Sequence, residues 1–461
     1  MLFTSPTFIF IFLPLVLLAY YLSPQKLKNL ILLSFSLLFY AWGEVFYVLL
    51  MVASVMVNYL IGRLLFHHIK LRKMVLGIGV TLNLIPLLFF KYFTFFLEQL
   101  GQTPTAEIHL PLGISFFTFQ AISYLVDVYR EQTPAERNLI NLGLYIALFP
   151  QLIAGPIVRF RSINKQLAER LHSKAQFIEG IERLIFGLSK KLLIANPLGF
   201  VADQIYALPS SQIDGSLAWM AAISYTMQIY FDFSAYSDMA IGLAKMFGFK
   251  IPENFNYPYM AQSIQEFWRR WHISLSRWFR DYLYIPLGGN RLGDKRTYFN
   301  LLVVFTLCGF WHGASWSFVI WGLYHGLFLI LERLGLTHVL LTTPRLFRHA
   351  YALLVVIFGW VFFRVESIGD ALAIQGRMLF TSQPENVLYS LHYFVSPQFY
   401  LALFFGLLLS TSVFKRWSMV SIDQQSNAQL LGRNIWIIAL LLLNFVVISA
   451  STYNPFIYFR F

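Results

Sequence analysis

The chain has 461 residues, of which 57% are hydrophobic and only 12% charged, against about 45–50% apolar and about 25% charged in soluble domains. This composition excludes an ordinary soluble protein. The net charge of +13 falls mostly in the short gaps between apolar runs, where it reads as contact with anionic headgroups and a topology signal, not as a nucleic-acid interface.

A helix crosses the roughly 30 Å hydrocarbon core with about 20 apolar residues. Runs of that order lie near 6–22, 28–42, 45–62, 74–97, 108–129, 216–244, 313–332, 349–363, 397–414 and 434–450, with shorter or more polar candidates near 138–157, 188–206 and 297–310. They predict an all-α, polytopic membrane protein with about 10–12 transmembrane helices. No Pro/Ser-rich or charged linker divides the runs. The expectation is one membrane-embedded domain over 1–461, with its core at about 108–333 and peripheral helices at 1–100 and 345–461. The first run has no basic residues ahead of it and no small-residue cleavage site, so it reads as a retained span.

Lys26 and Lys28 mark one gap, and Arg63, Lys70, Arg72 and Lys73 another two spans later, so both belong in the cytoplasm. The stretch from Glu98 to His109 holds no Lys or Arg and belongs outside. The N-terminus is then extracytoplasmic. The same parity puts 250–296 and 333–348 inside and 381–396 outside. Parity breaks at 138–157, which has basic residues on both sides and contains Pro150, Gly155 and Pro156. That pattern predicts a re-entrant or broken segment, tolerated at membrane depth only where protein buries it or a cavity lines it. No internal repeat supports an inverted-repeat transporter.

Polar residues concentrate between about 225 and 325. Asp232 and Asp238 interrupt an apolar span, as a proton relay or as partners of tyrosine, serine or arginine within a bundle. Arg269, Arg270, Arg277 and Arg280 fall on one arc of a helical wheel and Phe267, Trp268, Trp271, Leu275, Trp278, Phe279 and Tyr282 on another, predicting a basic amphipathic helix. Its arginines fit either lipid headgroups or a phosphate-bearing donor. His272 lies between the two arcs.

The run at 297–310 has 14 residues and spans only about 21 Å. His312 is therefore expected within the membrane, where an ionisable residue is a functional hypothesis by default; a neutral core histidine bonded to a carbonyl is the alternative. Cys308, four residues earlier, would share a face with His312 on a continuous helix, but Gly309 and Gly313 argue against continuity. His325 is a further intramembrane histidine. Neither a Gly-x-Ser-x-Gly, a Walker loop nor a His-Glu-x-x-His occurs, and the histidines show no metal-ligand spacing.

Phe267-Trp268-Arg269-Arg270-Trp271-His272-Ile273-Ser274-Leu275-Ser276 and Gly309-Phe310-Trp311-His312-Gly313 resemble the two signature segments of the membrane-bound O-acyltransferase family. Pro111-Leu112-Gly113-Ile114-Ser115-Phe116-Phe117-Thr118-Phe119-Gln120, Gly155-Pro156, the Asp232 to Asp238 segment and Tyr284-Ile285-Pro286-Leu287-Gly288-Gly289-Asn290 are further matches to the family's bacterial branch, and the stretch Met1 to Gly43 is similar to its alginate O-acetyltransferase-like side. The resemblance implies spans around a thinned centre, with an outer funnel and a cytoplasmic opening meeting near His312. It implies His312 as general base and His272 on the cytoplasmic side, with Trp311, Arg269, Arg270, Arg277, Asp232 and Gln120 serving substrate.

It further implies transfer of an acyl group, acetyl above others, from acetyl-CoA or an acylated carrier protein to an extracytoplasmic polysaccharide. No bound cofactor or metal and no nucleic-acid partner are expected. Membrane lipids and a periplasmic SGNH-hydrolase-like acetyltransferase are, the latter docking near Ser317 or the loop before Pro397, at a bacterial inner membrane. A non-catalytic exporter of a polysaccharide or lipid-linked glycan is the other reading of the polytopic body and its intramembrane carboxylates.

Overall fold

In the computed structural model, which describes residues 1–67, 69–102, 108–380, 389–413, 426–450 and 452–457, every regular element is a helix. Among the described residues, six helical stretches are long and apolar enough to cross a membrane, including Tyr47–Phe66, Arg72–Gln99, Lys174–Tyr206 and Arg345–Arg364, and three shorter apolar helices accompany them. Together with the family match reported below, these make the chain a multi-pass membrane protein.

The chain divides into two units, Met1–Ile185 with Tyr236–Glu253, and Phe186–Ala235 with Asn254–Phe461. The first contains α1 (Leu13–Leu22), α2 (Lys28–Ala41), α3 (Tyr47–His67), α4 (Arg72–Leu87), α5 (Phe93–Gln99), α6 (Ile114–Tyr129), α7 (Leu139–Ala147), α8 (Phe149–Leu152), α9 (Phe160–Ala168) and most of α10 (Lys174–Ser189). Its interior helix is α6, buried along nearly its whole length together with Ser115, Thr118, Gln120, Ser123 and Asp127. Gly113 starts α6 at a φ of 74°, and a Cβ there would lie 2.7 Å from the Leu152 carbonyl oxygen, so both conformation and space demand glycine.

The segment at 138–157 is broken, as expected. Helix α7 ends at Leu148, where the backbone turns out of helical geometry, and α8 lasts four residues before an irregular, fully buried stretch. Tyr145 donates to the Val158 carbonyl at 3.0 Å and Gln151 Nε2 to the Tyr145 carbonyl at 2.6 Å, which satisfies part of the backbone that the break releases. On α2 to α5 the exposed residues are largely Leu, Ile, Phe, Val and Met, the composition of a lipid-facing surface.

The second unit holds α11 (Asn196–Tyr206), the first part of α12 (Gly215–Met246), α13 (Ile264–Arg270), α14 (Ile273–Phe279), α15 (Asp294–His312), α16 (Trp316–Leu331), α17 (Thr337–Thr342), α18 (Arg345–Arg364), α19 (Ile368–Leu379), α20 (Pro397–Leu409) and α21 (Asn427–Ala450). The outer loop expected at 381–396 lies within the described residues only from 389 onward.

Three expectations change. The basic amphipathic helix is two helices, α13 and α14, broken at Trp271–His272, so the wheel drawn through 267–282 does not hold past Arg270. Conversely, α15 continues through Cys308 and Gly309 and ends at His312, where Gly313 turns extended. The short run at 188–206 belongs to one helical stretch from Lys174 to Tyr206, with a widened turn at Lys190–Ala195. Lys190 and Lys191 hide it in a hydropathy reading. Buried Lys191 is neutralised by Asp232 Oδ1 at 2.9 Å.

Candidate active site

Helix α15 carries His312 on its last residue, and the hairpin it forms with α16 fixes where that residue sits. A Cβ on Gly309 would lie 2.1 Å from the Phe318 carbonyl oxygen, and one on Gly322 2.2 Å from that of Phe305. Only glycines permit so close a contact, and it brings Trp321 of α16 against the His312 ring, with centroids 5.3 Å apart at right angles. Trp311 and Phe363 approach the same ring at 4.9 and 5.0 Å. His312 is buried among them.

His272 occupies the break between α13 and α14, at a φ of 41° in the left-handed region. Asn254 holds it there. Its carbonyl accepts from Ile273 N at 2.9 Å, and its Oδ1 accepts from Ser274 N at 3.1 Å and Ser274 Oγ at 2.8 Å, capping α14 from outside the helix. The His272 Nδ1 lies 3.2 Å from the same oxygen. Because that oxygen is an acceptor, Nδ1 carries the proton and Nε2 is left as the acceptor nitrogen of the neutral ring. Burial keeps the ring neutral by pushing its pKa down to about 3.

The α13 start is pinned as firmly. Ser263 Oγ caps the helix by accepting from Glu266 N at 3.0 Å, and Glu266 reaches back to accept from Gln262 N at 2.8 Å. Glu332, from just past α16, accepts from Ile264 N at 2.6 Å, from Gln265 N at 3.0 Å and from the Tyr351 hydroxyl at 3.2 Å.

Both histidines line one cavity of about 10 Å³, on the order of a single water. Ile229 and Phe233 of α12, Trp271, Trp321, Trp360 and Phe363 of α18, and Ile457 complete its wall. Trp311 touches both imidazoles, 6.4 Å from His272 and 4.9 Å from His312. An apolar pocket with two convergent imidazoles is suited to proton transfer from a weak acid such as a hydroxyl, because little water competes for the base.

The other expected site residues separate. Arg269 and Arg277 are exposed, whereas Arg270 is tied to Glu266 Oε1 at 2.7 and 2.9 Å and to the Asn256 carbonyl at 3.0 Å. Asp232 is buried near the cavity wall, ion-paired with Lys191, and accepts from Ile457 N at 3.0 Å. Its partner is a lysine, not the tyrosine, serine or arginine considered from sequence. Asp238 pairs with Arg183 at 2.8 Å. Gln120 belongs to the first unit, is fully buried and does not line the cavity.

His325 is also fully buried, flanked by Trp268, Trp321 and Tyr324, outside the cavity wall. Cys308 is buried on α15 and does not line the cavity either. Ser317 is buried and donates to the Glu366 carbonyl at 2.7 Å, so its side chain offers nothing to a docking partner. Sequence reading did not identify Lys191, Asn254, Trp360, Phe363 or Ile457. Lys191 alone carried a signal, a cation within an apolar run.

A family model described as membrane-bound O-acyltransferase matches residues 37–369. A probable alginate O-acetylase of Pseudomonas putida is 42% identical over an alignment 499 positions long that covers all of both chains. A peptidoglycan O-acetyltransferase of Helicobacter pylori is 38% identical, over 82% of this chain and 80% of its own. A teichoic acid D-alanyltransferase of Bacillus subtilis is 31% identical over 54% of this chain and 66% of its own. With the family model covering both histidine segments and a full-length relative at this identity, the chain belongs to the membrane-bound O-acyltransferase family and is an O-acyltransferase.

Proposed function

We propose that this protein moves an acetyl group from a cytoplasmic thioester to a hydroxyl on the outer side of the membrane, for O-acetylation of an extracytoplasmic polysaccharide, with His312 as general base. The observation that carries the reading is that His312 and His272 line one cavity, with Trp311 against each ring. The hydroxyl oxygen attacks the thioester carbonyl while His312 takes its proton. The tetrahedral intermediate then collapses, the C–S bond breaks, and the thiolate leaves toward the cytoplasm. General-base assistance of this kind contributes about 10²–10⁴-fold. His272, neutral and held by Asn254, positions the donor or relays a proton through Nε2.

Acetyl-CoA is the proposed donor. Arg269 and Arg277 are exposed on the helices flanking His272 and suit its phosphates, while Arg270 serves the fold of that region. An acylated carrier protein would use the same arginines. The acceptor class follows the relatives, an alginate O-acetylase, a peptidoglycan O-acetyltransferase and a teichoic acid D-alanyltransferase. The proposed setting is the bacterial inner membrane with the N-terminus outside. A periplasmic SGNH-hydrolase-like transferase would receive the acyl group there, docking by the loop before Pro397. Family membership displaces the exporter reading.

The test uses the purified protein in lipid vesicles with labelled acetyl-CoA on the cytoplasmic face. CoA release and acetyl transfer that His312→Ala abolishes, with expression and insertion unchanged, support the reading. An active His312→Ala variant removes it, and turnover only with an acylated carrier protein reassigns the donor.

A further inference from the structure

All but one of the residues walling the cavity stand on helices or on the pinned junction between α13 and α14. Ile457 is the exception, at the end of the irregular stretch 452–456, and it is buried. An acetyl group is larger than the water-sized space now present. The room available to an acyl chain therefore depends on where Ile457 is held.

Polar contacts from three buried or half-buried side chains hold it. Asp232 Oδ2 accepts from Ile457 N at 3.0 Å, Lys191 Nζ donates to the Pro455 carbonyl, and Asn196 Nδ2 donates to the Tyr453 carbonyl at 3.2 Å. Lys191 and Asp232 also pair with each other at 2.9 Å, and both are almost completely buried. Each half of this ion pair also makes a hydrogen bond to the backbone of 455–457. The Tyr453 hydroxyl adds a bond to Asp203 Oδ2 at 2.7 Å.

We propose that the Lys191–Asp232 pair is a positioning device that anchors residues 453–457 so that Ile457 forms the wall limiting acyl-chain length beside His312 and His272. This rests on the acyl-transfer reading for its consequence, but the anchoring itself is independent of it. A charge-reversed pair, Lys191→Asp with Asp232→Lys, keeps the mutual attraction. It cannot hold the segment, because a lysine at 232 cannot accept from Ile457 N and an aspartate at 191 cannot donate to the Pro455 carbonyl.

The first measurement is labelling of Ile457→Cys by a water-soluble maleimide in a Cys308→Ser background of the full chain in vesicles. Slow labelling with the native pair and fast labelling with the reversed pair, at unchanged melting temperature, support the anchor. Equal labelling in a folded reversed pair overturns it. The second uses Ile457→Ala with the ion pair intact, and so does not depend on whether the reversed pair folds. Its kcat/KM for butyryl-CoA relative to acetyl-CoA should rise by ~10-fold or more, the scale at which a hydrophobic pocket discriminates a methylene. An unchanged ratio overturns the wall. Absence of CoA release from any donor, in wild type as well, would count against the acyl-transfer reading and leave the labelling result standing.

Discussion

At the scale of single residues, the arginines next to His272 separate into two kinds by their contacts. Arg270 is engaged by Glu266 and the Asn256 carbonyl, while Arg269 and Arg277 are exposed. Arg269→Glu with Arg277→Glu should raise the KM for acetyl-CoA by ~10–100-fold with a smaller effect on kcat, since charge-assisted hydrogen bonds contribute about 1.5–3 kcal/mol. Arg270→Ala should instead lower the melting temperature. His272 makes a pH prediction. Its folded pKa is depressed to about 3, while an unfolded histidine titrates near ~6.5. The unfolded chain therefore binds the extra proton first as the pH falls. Stability from this group is complete above about 6.5 and is lost progressively from there down toward the folded value. Melting of the purified protein between pH 7 and 5 should show that slope, and His272→Gln should reduce it by this group's share.

At the scale of elements, the α15/α16 hairpin is the part most sensitive to a single methyl group. Gly309→Ala places a Cβ against the Phe318 carbonyl and must push the helices apart. A destabilisation of ~1–3 kcal/mol is expected from such overpacking. Because His312 ends α15 and rests on Trp321 of α16, transfer activity should fall further than stability does. Comparing melting with turnover for this variant separates the two. Glu332 acts across elements in the same way, as it fastens the start of α13 from beyond the end of α16. Glu332→Ala should cost ~0.5–2 kcal/mol, as lost helix caps do, and Glu332→Gln, which retains an acceptor, should recover part of it.

At the scale of the whole molecule, the proposed orientation assigns a side of the membrane to each exposed loop. His392 is exposed just ahead of α20 and Arg345 is exposed at the start of α18. Single cysteines at these two positions should react with an impermeant thiol reagent from opposite faces of sealed vesicles, His392→Cys from outside and Arg345→Cys from inside. Native Cys308 is buried and does not interfere. Reaction of both from the same face would remove the orientation and, with it, the vectorial transfer.

The helices themselves were legible in the sequence, because burial in lipid requires long uninterrupted apolar runs and internally satisfied backbone. The break near Pro150 followed from the same rule. The two histidine segments were legible as a family resemblance. Tertiary contacts decided the rest. Gly309 looks like a helix breaker on its own, yet α15 passes through it because α16 needs the space a side chain would fill. The basic helix looks continuous by periodicity, yet Asn254, on neither of the two helices, supplies the cap that lets it break at His272. Lys191 shortens an apolar run until Asp232 neutralises it. Local sequence sets which conformations a segment tolerates. Which one it takes at this site depends on partners tens to hundreds of residues away, and only packing brings them within hydrogen-bonding distance.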